Sequence, residues 1–265
     1  MLEKRKEREA AFHDVAVTEQ TRERLWSSYY LVTGAPSDHY ADLVRSRSAG
    51  ARVLEYGCGA GGRSGELVGA DRARKISGID ISPQAIKAAI ERAHSEGYAD
   101  IADYRVMDAE RLEFDDASFD LVCGTSIIHH LVTDRAYAEI SRVLRPGGSA
   151  VFLEPLGHNP AINLYRRLTP AMRTVDEHPL KMTDIATARQ YFSDVDQRFF
   201  TLTPLLAVPF RRARFFVWLV DRLNRIDRAL FDSVQVSRRL AWQVVLELHK
   251  APEPSGHMLS ELDPR

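Results

Sequence analysis

Val53-Leu54-Glu55-Tyr56-Gly57-Cys58-Gly59-Ala60-Gly61-Gly62-Arg63 is the stretch on which the reading of this chain turns. Val53 and Leu54 read as the end of a buried strand. The glycines at 57, 59 and 61 then allow a tight turn with no side chains in the way. A doubly wound sheet receives a nucleotide-like ligand at such a turn. The third glycine comes too early for the G-x-G-x-x-G dinucleotide pattern, and an acid, Glu55, precedes the first.

Outward from this turn, short apolar strands alternate with helices from residue 51 onward, which predicts a parallel α/β sheet. Strands are expected at 52–56, 76–80, 103–106, 119–123 and 149–153, with helices at 62–69, 83–96, 109–112 and 134–144. Ser82-Pro83 is a helix start, a capping residue followed by proline at the first helical position. Arg145-Pro146-Gly147-Gly148 is a stop and a turn. After Glu154 the alternation weakens into a proline-bearing excursion over 155–182. A helix near 183–192, a strand near 195–203, an arginine-rich amphipathic helix over 210–231 and a closing strand over 241–249 follow. Ahead of the turn, residues 1–30 are charged and then aromatic, and Asp38 to Arg47 read as a short helix.

Composition sets the outer bounds. The 265 residues are 45% apolar and 28% charged, as in an ordinary globular protein. A formal net charge of −1 gives no overall attraction to nucleic acid or anionic membrane. No apolar run approaches the roughly 20 residues of a membrane span, and the charged N-terminus lacks a signal-peptide core. Two cysteines cannot build a disulfide framework or a zinc knuckle, so a reducing cytoplasm is the expected location.

Five segments carry the chemistry: Glu55-x-Gly57-x-Gly59-x-Gly61; Asp80, ending Ile76-Ser77-Gly78-Ile79-Asp80; Met107-Asp108-Ala109-Glu110; Phe119-Asp120-Leu121-Val122 with Ile128-His129-His130-Leu131; and Arg142 to Gly148. In order and spacing over about 50–153 they resemble the class I S-adenosylmethionine-dependent methyltransferases of the small-molecule branch. The resemblance implies S-adenosyl-L-methionine as cofactor. It also implies a doubly wound, seven-stranded, mostly parallel sheet with helical cap segments. The chain then divides into an N-terminal helical cap (1–48), a cofactor-binding core (49–154), a substrate-side segment with the last two strands (155–250) and a loose tail (251–265). Gly57, Gly59 and Gly61 would approach the methionine part, with Glu55 holding its ammonium group or fixing the loop. Asp80, beside Ile81, would accept from the ribose hydroxyls, Asp108 and Ala109 would meet the adenine, and Thr125 would border the site. Tyr56 departs from the small or aliphatic residue common at its position, and Glu55 replaces the frequent aspartate.

Methyl transfer is an in-line displacement in which the protein chiefly positions donor and acceptor, and an oxygen or carbon acceptor also needs a base. Glu154, at the end of the fifth strand, is one candidate base, with the alternative of a structural acid bonding the following loop. His130 is a second candidate, with a structural or pocket-lining role as the alternative for it and for His129. Tyr29, Tyr30, His129, His158, Tyr165, Arg166 and His178 are candidate substrate contacts. No metal is expected, because His158, Asp176, Glu177 and His178 match no metal spacing. Arg211, Arg212, Arg214, Arg222, Arg225 and Arg228 mark the 210–231 helix, which could roof a hydrophobic substrate, lie on a membrane surface or simply pack on the sheet. Aromatic residues in the cap segments favour a greasy acceptor over a sugar, with an isoprenoid diphosphate among the options. The expected partner is thus a small-molecule acceptor, with no nucleic acid and no membrane insertion. An inactive binding or scaffold protein of the same fold is the alternative.

Overall fold

The buried apolar runs fold as a sheet. The computed structural model describes residues 5–11, 31–63, 67, 73–168 and 178–253. Seven strands, β1 (Arg52–Tyr56), β2 (Lys75–Asp80), β3 (Ala102–Val106), β4 (Phe119–Thr125), β5 (Leu144–Pro155), β6 (Asp194–Phe200) and β7 (Gln243–His249), lie in the order β3-β2-β1-β4-β5-β7-β6. The pairings β1–β2, β1–β4, β2–β3 and β4–β5 are parallel, whereas β7 runs antiparallel to both β5 and β6. The sheet is mixed, with β7 its one reversed strand.

Alternation along each strand splits the core into two layers. Leu54, Val122, Phe152 and Leu246 join the cluster containing Tyr137, Ile140 and Val143 of the helix Thr133–Val143. Their neighbours Val53, Leu121, Val151 and Val245 join Tyr40 and Val44 of the helix Gly34–Ser48. Both faces being covered, the central strands are apolar almost without a break. In chain order the helices are α1 (5–11), α2 (Gly34–Ser48), α3 (Pro83–Ser95), α4 (Thr133–Val143), α5 (Pro160–Leu168), α6 (Met182–Ala188) and α7 (Phe216–Ser233). At the start of α3, Ser82 Oγ accepts the Ala85 N–H at 3.0 Å. The chain leaves β1 for β2 on one side and returns through β4 on the other, so the C-terminal ends of these strands open a crevice.

Several boundaries differ from expectation for local reasons. Residues 109–112 form a turn because Asp108 Oδ1 accepts the Glu110 N–H at 2.9 Å, competing with a helix. β5 starts at Leu144, five residues early: Leu144 pairs with Phe119 before the register shifts to Leu121–Ser149. β6 stops at Phe200 because Thr201 adopts φ +65° and the Asp227 carboxylate takes the N–H groups of Leu202 and Thr203. A 3₁₀ segment over Thr203–Phe210 follows, a turn over 211–215 takes the expected start of the long helix, and α7 begins only at Phe216. The helix near 183–192 is the shorter α6, with 189–191 in a turn. Most of the helix expected at 62–69 lies outside the described residues.

Candidate active site

The glycine turn is built by close approach. Gly57, Gly59 and Gly61 take φ of +72°, +52° and +68°. A Cβ on Gly57 would stand 2.9 Å from the Ile127 side chain, and one on Gly61 would stand 3.1 Å from Ala89 Cβ. A Cβ on Gly59 would meet nothing within 4 Å, so this backbone faces open space. Asp80 fastens the turn to β2: its Oδ2 accepts the Gly59 N–H and its Oδ1 the Ser82 N–H, both at 2.9 Å.

Beside Gly59 lies a cavity of about 250 Å³. Asp80, Asp108, Thr125, Ser126 and His130 supply its polar wall, and Ile79, Ile81, Met107, Ala109, Ile127 and Leu131 its apolar wall. Tyr56, the family departure, has a local purpose. Its ring is fully buried, edge-on to Phe152, and its hydroxyl donates to the Ala109 carbonyl, tying the loop after β3 to β1. Ser126 adopts φ +54°, a strained conformation for a serine, and donates its N–H to the Leu153 carbonyl at 2.8 Å.

Helix α1 closes one side of the cavity with Arg5, Lys6 and Glu9. Arg5 pairs with Glu110 and Lys6 with Asp108. Glu9 Oε2 lies 3.3 Å from His130 Nδ1. These three cavity residues escaped the sequence reading, which took the N-terminus as a charged helical cap without placing any of its side chains; charge spacing alone carries no address across the 105 and 102 positions that separate Arg5 and Lys6 from their partners.

Glu154 sits elsewhere than a base would. It is fully buried and does not line the cavity. Its Oε1 accepts the N–H groups of Ile127 and Ile128 at 2.9 and 2.8 Å, and its Oε2 lies 2.7 Å from His129 Nδ1. This geometry corrects the catalytic expectation, since both oxygens are committed to the loop that follows β4. His129 is likewise buried behind the wall, its ring 4.1 Å from that of His130. His130 faces the cavity.

The other expected residues scatter. Gly61 packs on α3, and Glu55 is buried beside Tyr40, Arg63 and Cys123 in a smaller side pocket, neither at the cavity. His158 Nε2 accepts the Met182 N–H at 3.1 Å, a structural tie. Tyr165 and Arg166 lie on α5, and His178 donates its backbone N–H to His129, all outside the lining. Tyr29 and Tyr30 lie outside the described residues. Burial pushes the thiols of Cys58 and Cys123 far up, which leaves neither as a nucleophile.

Residues 54–152 match the family described as methyltransferase domain. A 2-methyl-6-phytyl-1,4-hydroquinone methyltransferase from Synechocystis sp. is 39% identical over 103 residues, 38% of this chain and 31% of that protein. Among solved structures, phosphoethanolamine N-methyltransferase 2 of Haemonchus contortus, determined with S-adenosyl-L-methionine, superposes with a TM-score of 0.61 at 20% identity, covering 91% of this chain and 60% of the other. The [4+2]-cyclase SpnF gives 0.54 at 22% identity over 81% of each chain. At such identities the superpositions establish the fold, and SpnF carries it under a different reaction name. The chain spans less than half the length of the curated relatives it matches.

Proposed function

We propose, from the match of residues 54–152 to the methyltransferase domain family, that the protein is a class I S-adenosylmethionine-dependent methyltransferase that methylates a small, largely apolar acceptor at oxygen or carbon. The observation that carries this reading is the cavity beside Gly59. It joins an open backbone, the Asp80 and Asp108 carboxylates and a wall of aliphatic side chains at the crevice of the sheet.

These residues fit the cofactor on their own chemistry. Gly59 leaves room for a ligand against its backbone. Each Asp80 oxygen accepts one N–H and retains a lone pair for a hydroxyl, which suits a ribose diol. Asp108 and the Ala109 backbone suit a purine edge, flanked by Ile81 and Met107. When bound, the cofactor supplies an electrophilic methyl group.

The remaining tasks fall to the chain. Ile127 and Leu131, the apolar lining beside His130, exclude water and orient an apolar acceptor. Among the described residues His130 is the imidazole in the lining, and it takes the proton that a hydroxyl acceptor loses. Glu9 Oε2 stands 3.3 Å from its Nδ1. Glu154 acts at one remove, as a positioning residue for the loop that bears His130.

Calorimetric titration with S-adenosylmethionine and S-adenosylhomocysteine tests the reading. Micromolar binding of both is expected, followed by methyl transfer within a panel of hydrophobic phenols, acids and prenyl diphosphates. No binding of either at millimolar concentration would overturn it.

A further inference from the structure

We infer that the face formed by residues 206–225 docks the protein onto an anionic lipid surface. The late start of α7 creates this face. Phe216 turns inward, buried with Val32 and Ala207 and backed by Leu219, Val220 and Leu223. Its neighbours are thereby turned outward: Leu206, Phe210, Phe215, Val217 and Trp218 are 67%, 49%, 49%, 69% and 58% exposed. Five large apolar side chains exposed within 13 residues are more than the scattered ones of an ordinary surface.

The charge around them is one-sided. Arg211, Arg212 and Arg214 are exposed in the turn between the 3₁₀ segment and α7, and Arg222 and Arg225 are exposed on the helix. Arg222 stacks over the Trp218 ring at 5.6 Å. Against these five arginines stands one exposed acid in the stretch, Asp221. Asp227 gives no counter-charge there, being buried and committed to Leu202 and Thr203. A chain of net charge −1 thus concentrates positive charge where its aromatic rings are exposed.

That combination fits a phosphate-bearing bilayer. Guanidinium groups pair bidentately with phosphate, while tryptophan and phenylalanine rings settle at headgroup depth. Among the described residues no helix is long and apolar enough to cross a membrane, so the contact is made in the plane of the surface. The inference draws its purpose from the apolar-acceptor reading, because such an acceptor partitions into lipid. Its test is independent of that reading.

The test is co-sedimentation with vesicles of phosphatidylcholine alone and of phosphatidylcholine with phosphatidylglycerol. Binding to the anionic vesicles only, weakened by salt, is expected. At roughly fivefold per arginine, the triple variant Arg211→Ser, Arg212→Ser, Arg214→Ser should partition about 100-fold more weakly. Trp218→Ala should lose about tenfold. Both variants should bind S-adenosylhomocysteine like the parent, so a failure of the cofactor site would be seen separately. Absence of vesicle binding, or equal binding by the triple variant, overturns the inference. So does a concentration-dependent dimer in sedimentation velocity that Trp218→Ala abolishes, which would assign the face to a second copy of the chain.

Discussion

Glu154 Oε2 lies 2.7 Å from His129 Nδ1, and both side chains are buried. With Oε1 holding two amides, the carboxylate suspends the whole wall from Ile127 to His130 on β5. Removing it strands two backbone N–H groups and an imidazole away from water. Glu154→Ala is expected to cost about 3 kcal/mol of stability. Glu154→Gln keeps an acceptor for the amides, and a change of His129 tautomer accommodates its NH₂, so less than half that loss is expected. Urea denaturation reads both. An unchanged midpoint in the alanine variant would remove the positioning role.

Asp80 couples ligand and fold. Its two oxygens hold Gly59 and Ser82, and the residue lines the cavity. Two hydroxyl contacts to a charged acceptor together contribute about 3 kcal/mol, so Asp80→Ala should weaken S-adenosylhomocysteine binding by about 100-fold. Calorimetry showing parental affinity would sink the ribose assignment.

The core was legible because parallel strands buried on both faces must be apolar, and the glycine turn, Asp80 and the Asp108 loop are local in sequence. What failed depends on contacts between distant segments. Nothing local marks Asp227, in an arginine-rich helix, as the acid buried under the amides of Leu202 and Thr203. Glu154 stands at a strand end, where a ligand-facing acid belongs; only the fold shows that the loop after β4 reaches it first. Glu9 is one glutamate in a charged run, and nothing local brings it to His130. Glycines mark the turn without separating Gly59, which faces open space, from Gly61, which packs on Ala89.

That last contrast is testable. In Gly61→Ala the new Cβ meets Ala89 Cβ at 3.1 Å and its Cα at 3.3 Å, on a residue with φ +68°. Strain and overpacking together should cost about 2–4 kcal/mol of stability. Gly59→Ala carries the backbone strain alone, about 1–2 kcal/mol, while its methyl group intrudes where a ligand would lie. Thermal melts should therefore separate the two, with Gly61→Ala melting lower and Gly59→Ala losing more affinity per degree of lost stability. The reverse order would misplace the cavity.

Glu139 ties α4 to the loop after β3. The Arg142 guanidinium bonds its carboxylate at 2.8 and 2.9 Å, and the Leu112 N–H does so at 2.7 Å. The guanidinium first, and the backbone N–H after it, hold the Glu139 carboxyl below its usual value of 4.5 despite its partial burial. A carboxyl lowered in the folded state stabilises fully above its unfolded value, and the effect fades as pH falls through the folded one. Melting temperature in the parent should thus decline below about pH 4.5, and Glu139→Gln should lower the plateau and flatten that decline. Parallel curves for the two proteins would deny Glu139 this part of the acid sensitivity.

His130 is the remaining test, and it separates chemistry from support. It lines the cavity with Nδ1 3.3 Å from Glu9 Oε2, whereas His129 is buried behind it on Glu154. If His130 accepts the acceptor's proton, His130→Ala should lower kcat by about 10²–10⁴-fold and leave S-adenosylhomocysteine affinity nearly unchanged. Glu9→Gln removes the carboxylate 3.3 Å from Nδ1 and should lower kcat by about tenfold with S-adenosylhomocysteine affinity unchanged. A merely structural Glu9 would change stability and leave kcat in place. His129→Ala should act in the other direction, lowering the melting temperature more than the chemical step. Should His130→Ala turn over an oxygen acceptor at the parental rate, the proton leaves by another route, and the imidazole only shapes the wall.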